Sequence, residues 1–372
     1  MSSFIVMDIV KEAEKFEDCI HFEIGQPDLP PSPKVKKSLH VSIDANHFSY
    51  TQSHGLSALR EKIVTHYAKT YNVTIDKEQI FLTPGTSGAF LIAYALTLKQ
   101  GATLGLSDPS YPCYKNFAYL LDINPLFMPI GKEDDFELHV KDLTPHTLNA
   151  LQISSPSNPT GNIYKSETLK TLVEYCDKQD IAFISDELYH GLTYEKSADT
   201  ALQYGKNVYV INGFSKYYCM PGLRLGWIIV PKDKIRHAEM VAQNLFISAP
   251  TLSQYGALEA FDEEYLATIH ETFKQRRDFL YSELSALFEI DAKPEGAFYL
   301  WANISNYSDD SFAFAQELLA NIHVATTPGI DFGVHGTNHY IRFAYTRSIE
   351  HMQEGVARLK QYLQQRKKNE HH

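Results

Sequence analysis

Val208-Tyr209-Val210-Ile211-Asn212-Gly213-Phe214-Ser215-Lys216, continued by Tyr217-Tyr218-Cys219-Met220-Pro221-Gly222-Leu223-Arg224-Leu225-Gly226-Trp227, sets one lysine between two apolar, strand-like runs. A lysine between buried strands is costly unless it has a task or a partner. One task suits it: a desolvated amine gives up its proton easily, is nucleophilic and can form a Schiff base with a carbonyl. Taken alone, Lys216 is read more simply as an exposed turn residue. The rest of the chain reverses that balance.

Working outward, apolar segments of strand length alternate with helix-length ones from Phe81 onward. The strands are expected at Thr103 to Leu106, Leu126 to Ile130, Ala150 to Ile153, Ala182 to Ile184, Val208 to Ile211 and Leu225 to Val230. Helical runs such as Ala89 to Leu98 and Glu167 to Lys178 lie between them. Continuous apolar strands alternating with helices predict a largely parallel sheet covered on both faces. An amphipathic helix is expected over residues 4 to 18, and another from Ser57, its cap, to Tyr71. Ala257 to Phe288 is expected as one long helix. The end reads as α+β: Phe298 to Trp301, Ala313 to Leu319, His323 to Thr326, His339 to Ala344, then a charged helix from Ile349 to about Gln365.

With 372 residues the chain is long enough for two domains, and 44% hydrophobic with 21% charged residues is ordinary globular composition. A formal charge of −11 argues against binding a phosphate backbone. No window reaches the length of a spanning helix and Met1-Ser2-Ser3-Phe4 has no basic leader, so a cytoplasmic location is expected. Cys19, Cys113, Cys176 and Cys219 form no CxxC pair and read as buried thiols. The sixteen histidines show no metal-ligand spacing, and no metal is expected; the final His371-His372 carries no weight.

Several loops follow expected strands, where open α/β sheets bind ligands. Thr83-Pro84-Gly85-Thr86-Ser87-Gly88 offers backbone N–H groups at a helix start, suited to an anion or simply to a tight turn. Asp108-Pro109-Ser110-Tyr111-Pro112 presents a ring face, Tyr111, for stacking or for packing. Ser155-Pro156-Ser157-Asn158-Pro159-Thr160-Gly161 presents one amide, Asn158, which is either a ligand-binding group or an Asx turn. Ile184-Ser185-Asp186-Glu187-Leu188-Tyr189 sets a carboxylate just after an apolar strand, a position equally common for a surface helix cap.

SPSNPTG, SDELYHGL, NGFSKYYCMPGLRLGW and a late arginine in HYIRFAYTR, in that order, resemble the class I/II pyridoxal-phosphate-dependent aminotransferases, the aspartate-aminotransferase-like branch of fold type I. The resemblance runs from about Ser3 to the C-terminal helix. It implies an α/β fold: a large domain over 47–277 with a mostly parallel seven-stranded sheet flanked by helices, and a smaller α+β domain from 1–46 and 278–372. It implies pyridoxal 5′-phosphate carried by Lys216, with Asp186 at the pyridine nitrogen, Asn158 and Tyr189 on the 3′-oxygen and Tyr111 stacked on the ring. Thr86, Ser87, Ser215 and Arg224 would surround the phosphate. Tyr50, in FSYTQSHG, matches a tyrosine that reaches the neighbouring subunit's phosphate, which implies a homodimer with shared sites. Arg342 would take the substrate α-carboxylate, with Asn158 and the backbone at Gly25.

The function so implied is ping-pong transfer of an amino group between an L-amino acid and a 2-oxo acid. The alternative is a C–S β-lyase on the same fold, although similar lyases carry His where this chain has Tyr189. A non-catalytic module is a third reading, but such proteins carry a DNA-binding domain ahead of the fold, and here the fold begins near Met1. Some members favouring acidic substrates carry a lysine at the position of Ser87. Phe298, Tyr299 and the helix start Phe4-Ile5-Val6 are candidates for an apolar side-chain pocket, or for core.

Overall fold

The computed structural model describes residues 5–369. Its centre is a seven-stranded sheet of β1 (Ile80–Pro84), β2 (Thr103–Asp108), β3 (Asn124–Pro129), β4 (Ala150–Ser154), β5 (Ala182–Asp186), β6 (Val208–Gly213) and β7 (Leu225–Ile229), in the order β1-β7-β6-β5-β4-β2-β3. Every pairing is parallel except those of β7, which runs antiparallel to both β1 and β6. Six strands therefore point one way and end at one edge.

The sheet forms where the apolar runs lie because both of its faces are covered. Along β6, Val208 and Val210 enter the core on one face, while Tyr209 and Ile211 enter the core on the other. A strand with a two-residue side-chain period and two dry faces is mostly apolar, with any polar side chain hydrogen-bonded as Gln152 is to Tyr94, and β4, β5, β6 and β7 are buried throughout. Burying each such Val or Ile stabilises the fold by roughly 1.5–3 kcal/mol.

The smaller sheet is antiparallel. It orders β9 (Thr327–Pro328), β10 (Tyr340–Ala344), β8 (Tyr299–Asn303) and the short Glu289–Ile290. The N-terminal segment joins this region, because Ile20–His21 pairs in parallel with Val324–Ala325 and Ala344 donates its N–H to the Phe22 carbonyl at 2.7 Å. Among the described residues no helix is long and apolar enough to cross a membrane, and no cluster of three or more His, Cys, Asp or Glu is set to hold a metal. Cys19, Cys176 and Cys219 are buried free thiols, while Cys113 is only half-buried.

The helices depart from expectation in places. The first, α1, spans Ile5–Ala13 rather than 4–18, and Phe4 and the His371-His372 pair lie outside the described residues. Next come α2 (Pro33–Asp44), α3 (Ser57–Tyr71), α4 (Gly85–Thr97) and α5 (Cys113–Leu120). In α3 the cap is Leu56, with no side-chain bond; Ser57 is already helical and its hydroxyl donates to Glu61 Oε1 at 3.1 Å. The expected helix Ala257 to Phe288 is two helices, Thr251–Ala257 and Glu263–Ser285. The break covers residues 258–262 and ends at Asp262, the cap of the second helix, whose carboxylate accepts from Ser32 Oγ at 2.7 Å and Lys34 Nζ at 2.9 Å.

Candidate active site

The loops that follow β1, β2, β4, β5 and β6 meet at the carboxyl edge of the large sheet, and the small sheet closes over them. Between them lies a cavity of about 890 Å3. Its lining includes Gly25, Thr86, Ser87, Tyr111, Asn158, Asp186, Tyr189, Ser215, Lys216, Arg224, Tyr299 and Arg342. Every residue singled out from the sequence as a site group is thus in one place, with a single exception. Tyr50 is 77% exposed and lines a separate hollow of about 400 Å3 with His47, Thr251 and Tyr255. One chain does not bring Tyr50 to the cavity that holds Lys216.

Lys216 lies just past β6, and its Nζ donates to the Gly25 carbonyl at 2.6 Å. Burial lowers its pKa to about 8, and the positive charges of Arg342 and Arg224 act in the same direction. Asp186 is the last residue of β5 and is 4% exposed. Burial raises its pKa to about 6, against the pull of two neutral donors and of Lys216. Those donors are the Tyr114 hydroxyl and the Leu188 N–H, the latter at 3.1 Å. The carboxylate is therefore held in place by groups that carry no charge, and remains available to a cation from the cavity.

Arg342, on β10, is 4% exposed. Its Nη1 donates to Asn158 Oδ1 at 2.9 Å; its Nη2 donates to the Glu23 carbonyl at 2.9 Å and to Thr327 Oγ1 at 3.3 Å. Its Nε has no hydrogen-bond partner among the described residues. The guanidinium lies over the Tyr299 ring at 4.2 Å and the Phe332 ring at 4.8 Å. A buried guanidinium hydrogen-bonded only to neutral acceptors is an unfilled receptor for a carboxylate. The hydroxyls of Tyr189 and Tyr299 lie 2.8 Å apart in a hydrogen bond.

The α4 start is shaped by close approach. Gly85 has φ +67°, and a Cβ there would meet Arg224 Nη2 at 2.3 Å. On β7, a Cβ at Gly226 would stand 2.9 Å from both the Gly85 carbonyl carbon and the Thr86 nitrogen. Both glycines let the α4 N-terminus and Arg224 converge, which concentrates N–H groups and positive charge at one spot.

Some functional groups escaped the sequence reading. Tyr114, one turn beyond Tyr111, was hidden because α5 was not anticipated; an aromatic pair at i, i+3 around Pro112 was the available signal. Phe332, Thr327 and the Glu23 carbonyl support Arg342 from distant parts of the chain, and no local pattern marks them. Of the apolar candidates, Val6 and Tyr299 line the cavity, whereas Phe298 is fully buried core and Ile5 packs beside α1's own core contacts.

Comparison with known proteins agrees with this geometry. The family model described as aminotransferase class I and II matches residues 17–359. The chain is 32% identical to valine–pyruvate aminotransferase of Mycobacterium tuberculosis, covering 97% of this chain and 96% of that protein. It is 38% identical to (5-formylfuran-3-yl)methyl phosphate transaminase of Methanocaldococcus jannaschii, covering 97% of each. The crystal structure of an aminotransferase from Mycobacterium tuberculosis superposes with a TM-score of 0.95 at 31% identity, covering 98% of this chain and 97% of that one. The family is in general pyridoxal-phosphate-dependent. With a match along nearly its whole length and a site assembled at the expected edge of the sheet, this chain belongs to the class I and II aminotransferases.

Proposed function

We propose that this aminotransferase moves an amino group between an L-amino acid and a 2-oxo acid in two half-reactions at the cavity around Lys216, using pyridoxal 5′-phosphate. One observation carries the reading: the Lys216 amine, the neutral-bonded Asp186 carboxylate and the unfilled Arg342 receptor open into the same cavity. The residues present fit the cofactor. An amine with its pKa lowered to about 8, a buried carboxylate without a cation of its own and a helix start flanked by Arg224 are the donor set that an aldehyde, a pyridine nitrogen and a phosphate require.

When bound, pyridoxal phosphate supplies an electron sink that acidifies the Cα–H of the amino acid joined to it. The chain's own residues do the rest. Asp186 would hold the proton of the pyridine nitrogen. Asn158 and Tyr189 would bind the ring oxygen, and Tyr111 would offer its face for stacking. Thr86 and Ser87 N–H groups, the Ser215 hydroxyl and Arg224 would bind the phosphate. Lys216 Nζ, once neutral, would take up the proton released at the donor's Cα. Arg342, aided by Asn158 and the Gly25 backbone, would bind the α-carboxylate through its remaining N–H groups and so fix which Cα bond is broken.

Tyr50 is assigned to the phosphate of a second copy, which makes the working unit a homodimer with shared sites. Its exposure in one chain and its place in a hollow apart from Lys216's cavity support that assignment. A cytoplasmic location is proposed with it, supported by the acidic composition and the free thiols.

The test is a half-reaction. Protein loaded with pyridoxal phosphate should be yellow, and an amino-acid donor alone, with no oxo acid present, should convert the cofactor stoichiometrically to its amine form. Lys216→Ala should lose the wild-type absorbance band and at least about 10³-fold of the rate. Catalytic release of pyruvate and ammonia without that conversion would replace the transaminase by the lyase.

A further inference from the structure

Three residues of the cavity wall, Val6, Met7 and Val10, come from α1. The opposite side of this short helix is anchored: Ile9 and Ala13, with Ile5 beside them, pack on Cys19, Ala315, Leu319 and Ala325. Apolar positions on two faces of one helix mean that one face is core and the other waits for something apolar to cover it.

The first turn of α1 is held by a single distant side chain. Asp331 is 2% exposed, and its Oδ1 accepts from the Ile5 N–H at 3.2 Å while Oδ2 accepts from the Val6 N–H at 3.3 Å. Those are free N–H groups of a helix start, where the helix dipole also favours a negative charge. The turn that supplies Asp331, Gly329–Asp331, runs directly into Phe332, whose ring lies under Arg342. Two consecutive residues thus join the apolar wall to the carboxylate receptor. The cavity's cations are Lys216, Arg224 and Arg342. Each has a task in the proposed reaction, and the wall that α1 adds to the cavity in this chain is apolar.

We infer that α1, clamped by Asp331, selects the donor's side chain, and that the preferred donor carries an uncharged apolar side chain larger than a methyl group. Asp331 is a positioning residue: it touches the helix and not the substrate. The inference rests on the transaminase reading and specifies which amino acids that site takes. A hydrophobic wall discriminates by roughly 10–200-fold for each methylene group that it does or does not enclose, so the ranking of donors is its natural readout.

Half-reaction kinetics with leucine, phenylalanine, alanine and aspartate, followed through the cofactor's absorbance, decide the matter. Wild type should prefer leucine or phenylalanine to aspartate by at least about tenfold in kcat/KM. Asp331→Ala should lose about tenfold more with leucine and phenylalanine than with alanine, chiefly in KM, while the absorbance of the bound cofactor is kept. Val10→Arg, which puts a cation on the same wall, should shift the ranking toward aspartate. Equal losses for all donors in Asp331→Ala, or a wild type that prefers aspartate, overturn the inference. Should Asp331→Ala not fold, Asp331→Asn and Val10→Arg decide instead, and an unchanged ranking in both overturns it. A wild type inert toward every donor would overturn the transaminase reading as well.

Discussion

The covalent task proposed for Lys216 falls on an amine in an unfavourable place for charge. Burial, and then the neighbouring guanidinium groups, bring its pKa from the usual 10.5 to about 8. The sign of the consequence follows. Below pH 8 the amine is mostly an ammonium ion with no lone pair to offer; above it the neutral nucleophile dominates. Cofactor capture by the empty protein should therefore speed up about tenfold per pH unit from pH 6 to near 8 and then level off. Stopped-flow absorbance after mixing with pyridoxal phosphate measures this, and a profile still rising steeply at pH 10 would mean that the amine is solvated. Asp186 sits on the other side of neutrality: at about 6 its carboxyl is ionised at pH 7 and can take up a cationic ring nitrogen. Both shifts have the same leading cause, burial of the group in the wall of one cavity.

At the scale of elements, β5 ends in an acid that is followed directly by another with the opposite fate. Asp186 opens on the cavity, while Glu187 is fully buried behind it, accepting at Oε1 from Ser185 Oγ, Thr200 Oγ1 and the Ala201 N–H at 2.9–3.0 Å. Its Oε2 has no hydrogen-bond partner, and burial raises its pKa to about 8. The fold therefore keeps this acid protonated where the unfolded chain, near the usual 4.5, has released the proton. Its contribution is fully present below about pH 4.5 and is lost as pH rises to about 8. Glu187→Gln should remove that loss: its Tm should fall less than that of wild type between pH 5 and 8, by roughly 2 °C or more. Parallel melting curves would reject the assignment. This pair also marks where the sequence was legible. Strands β4, β5 and β6 were found within a residue or two because a sheet dry on both faces demands mostly apolar runs. Helix α2 was missed because Lys34, Lys36, Lys37 and His40 blur its periodicity, and it is held from outside, by Ser32 at its cap and by Leu39 packed on Gly256. The site lysine, carboxylate and amide were visible through their loops. The other supports of Arg342, the Glu23 carbonyl 319 positions away and Thr327 15 positions away, were not, since no local pattern marks them.

For the whole molecule, we propose a large unit, 47–277, and a small one from 1–46 and 278–372; α2, counted with the small unit, packs through Val35 and Leu39 into the core of the large sheet and on Gly256. If Tyr50 serves a second copy, defects in Tyr50 and Lys216 should complement each other. A mixed dimer of Lys216→Ala and Tyr50→Ala chains contains one site with both an intact lysine and an intact tyrosine. It should recover about half of the wild-type activity per dimer at limiting cofactor, whereas each variant alone is impaired. Failure of the mixture to exceed the better parent would confine Tyr50 to its own chain. The pairing of Ile20–His21 with Val324–Ala325 has a temporal corollary. A chain leaving the ribosome exposes its first strand some 300 positions before the partner strand exists, and Arg342 follows later still. Fragments released early can hold Lys216 and Asp186 but lack Arg342, the proposed grip on the amino acid. Synthesis itself thus orders the site: under the proposed reading no working catalyst exists before Arg342 has been added.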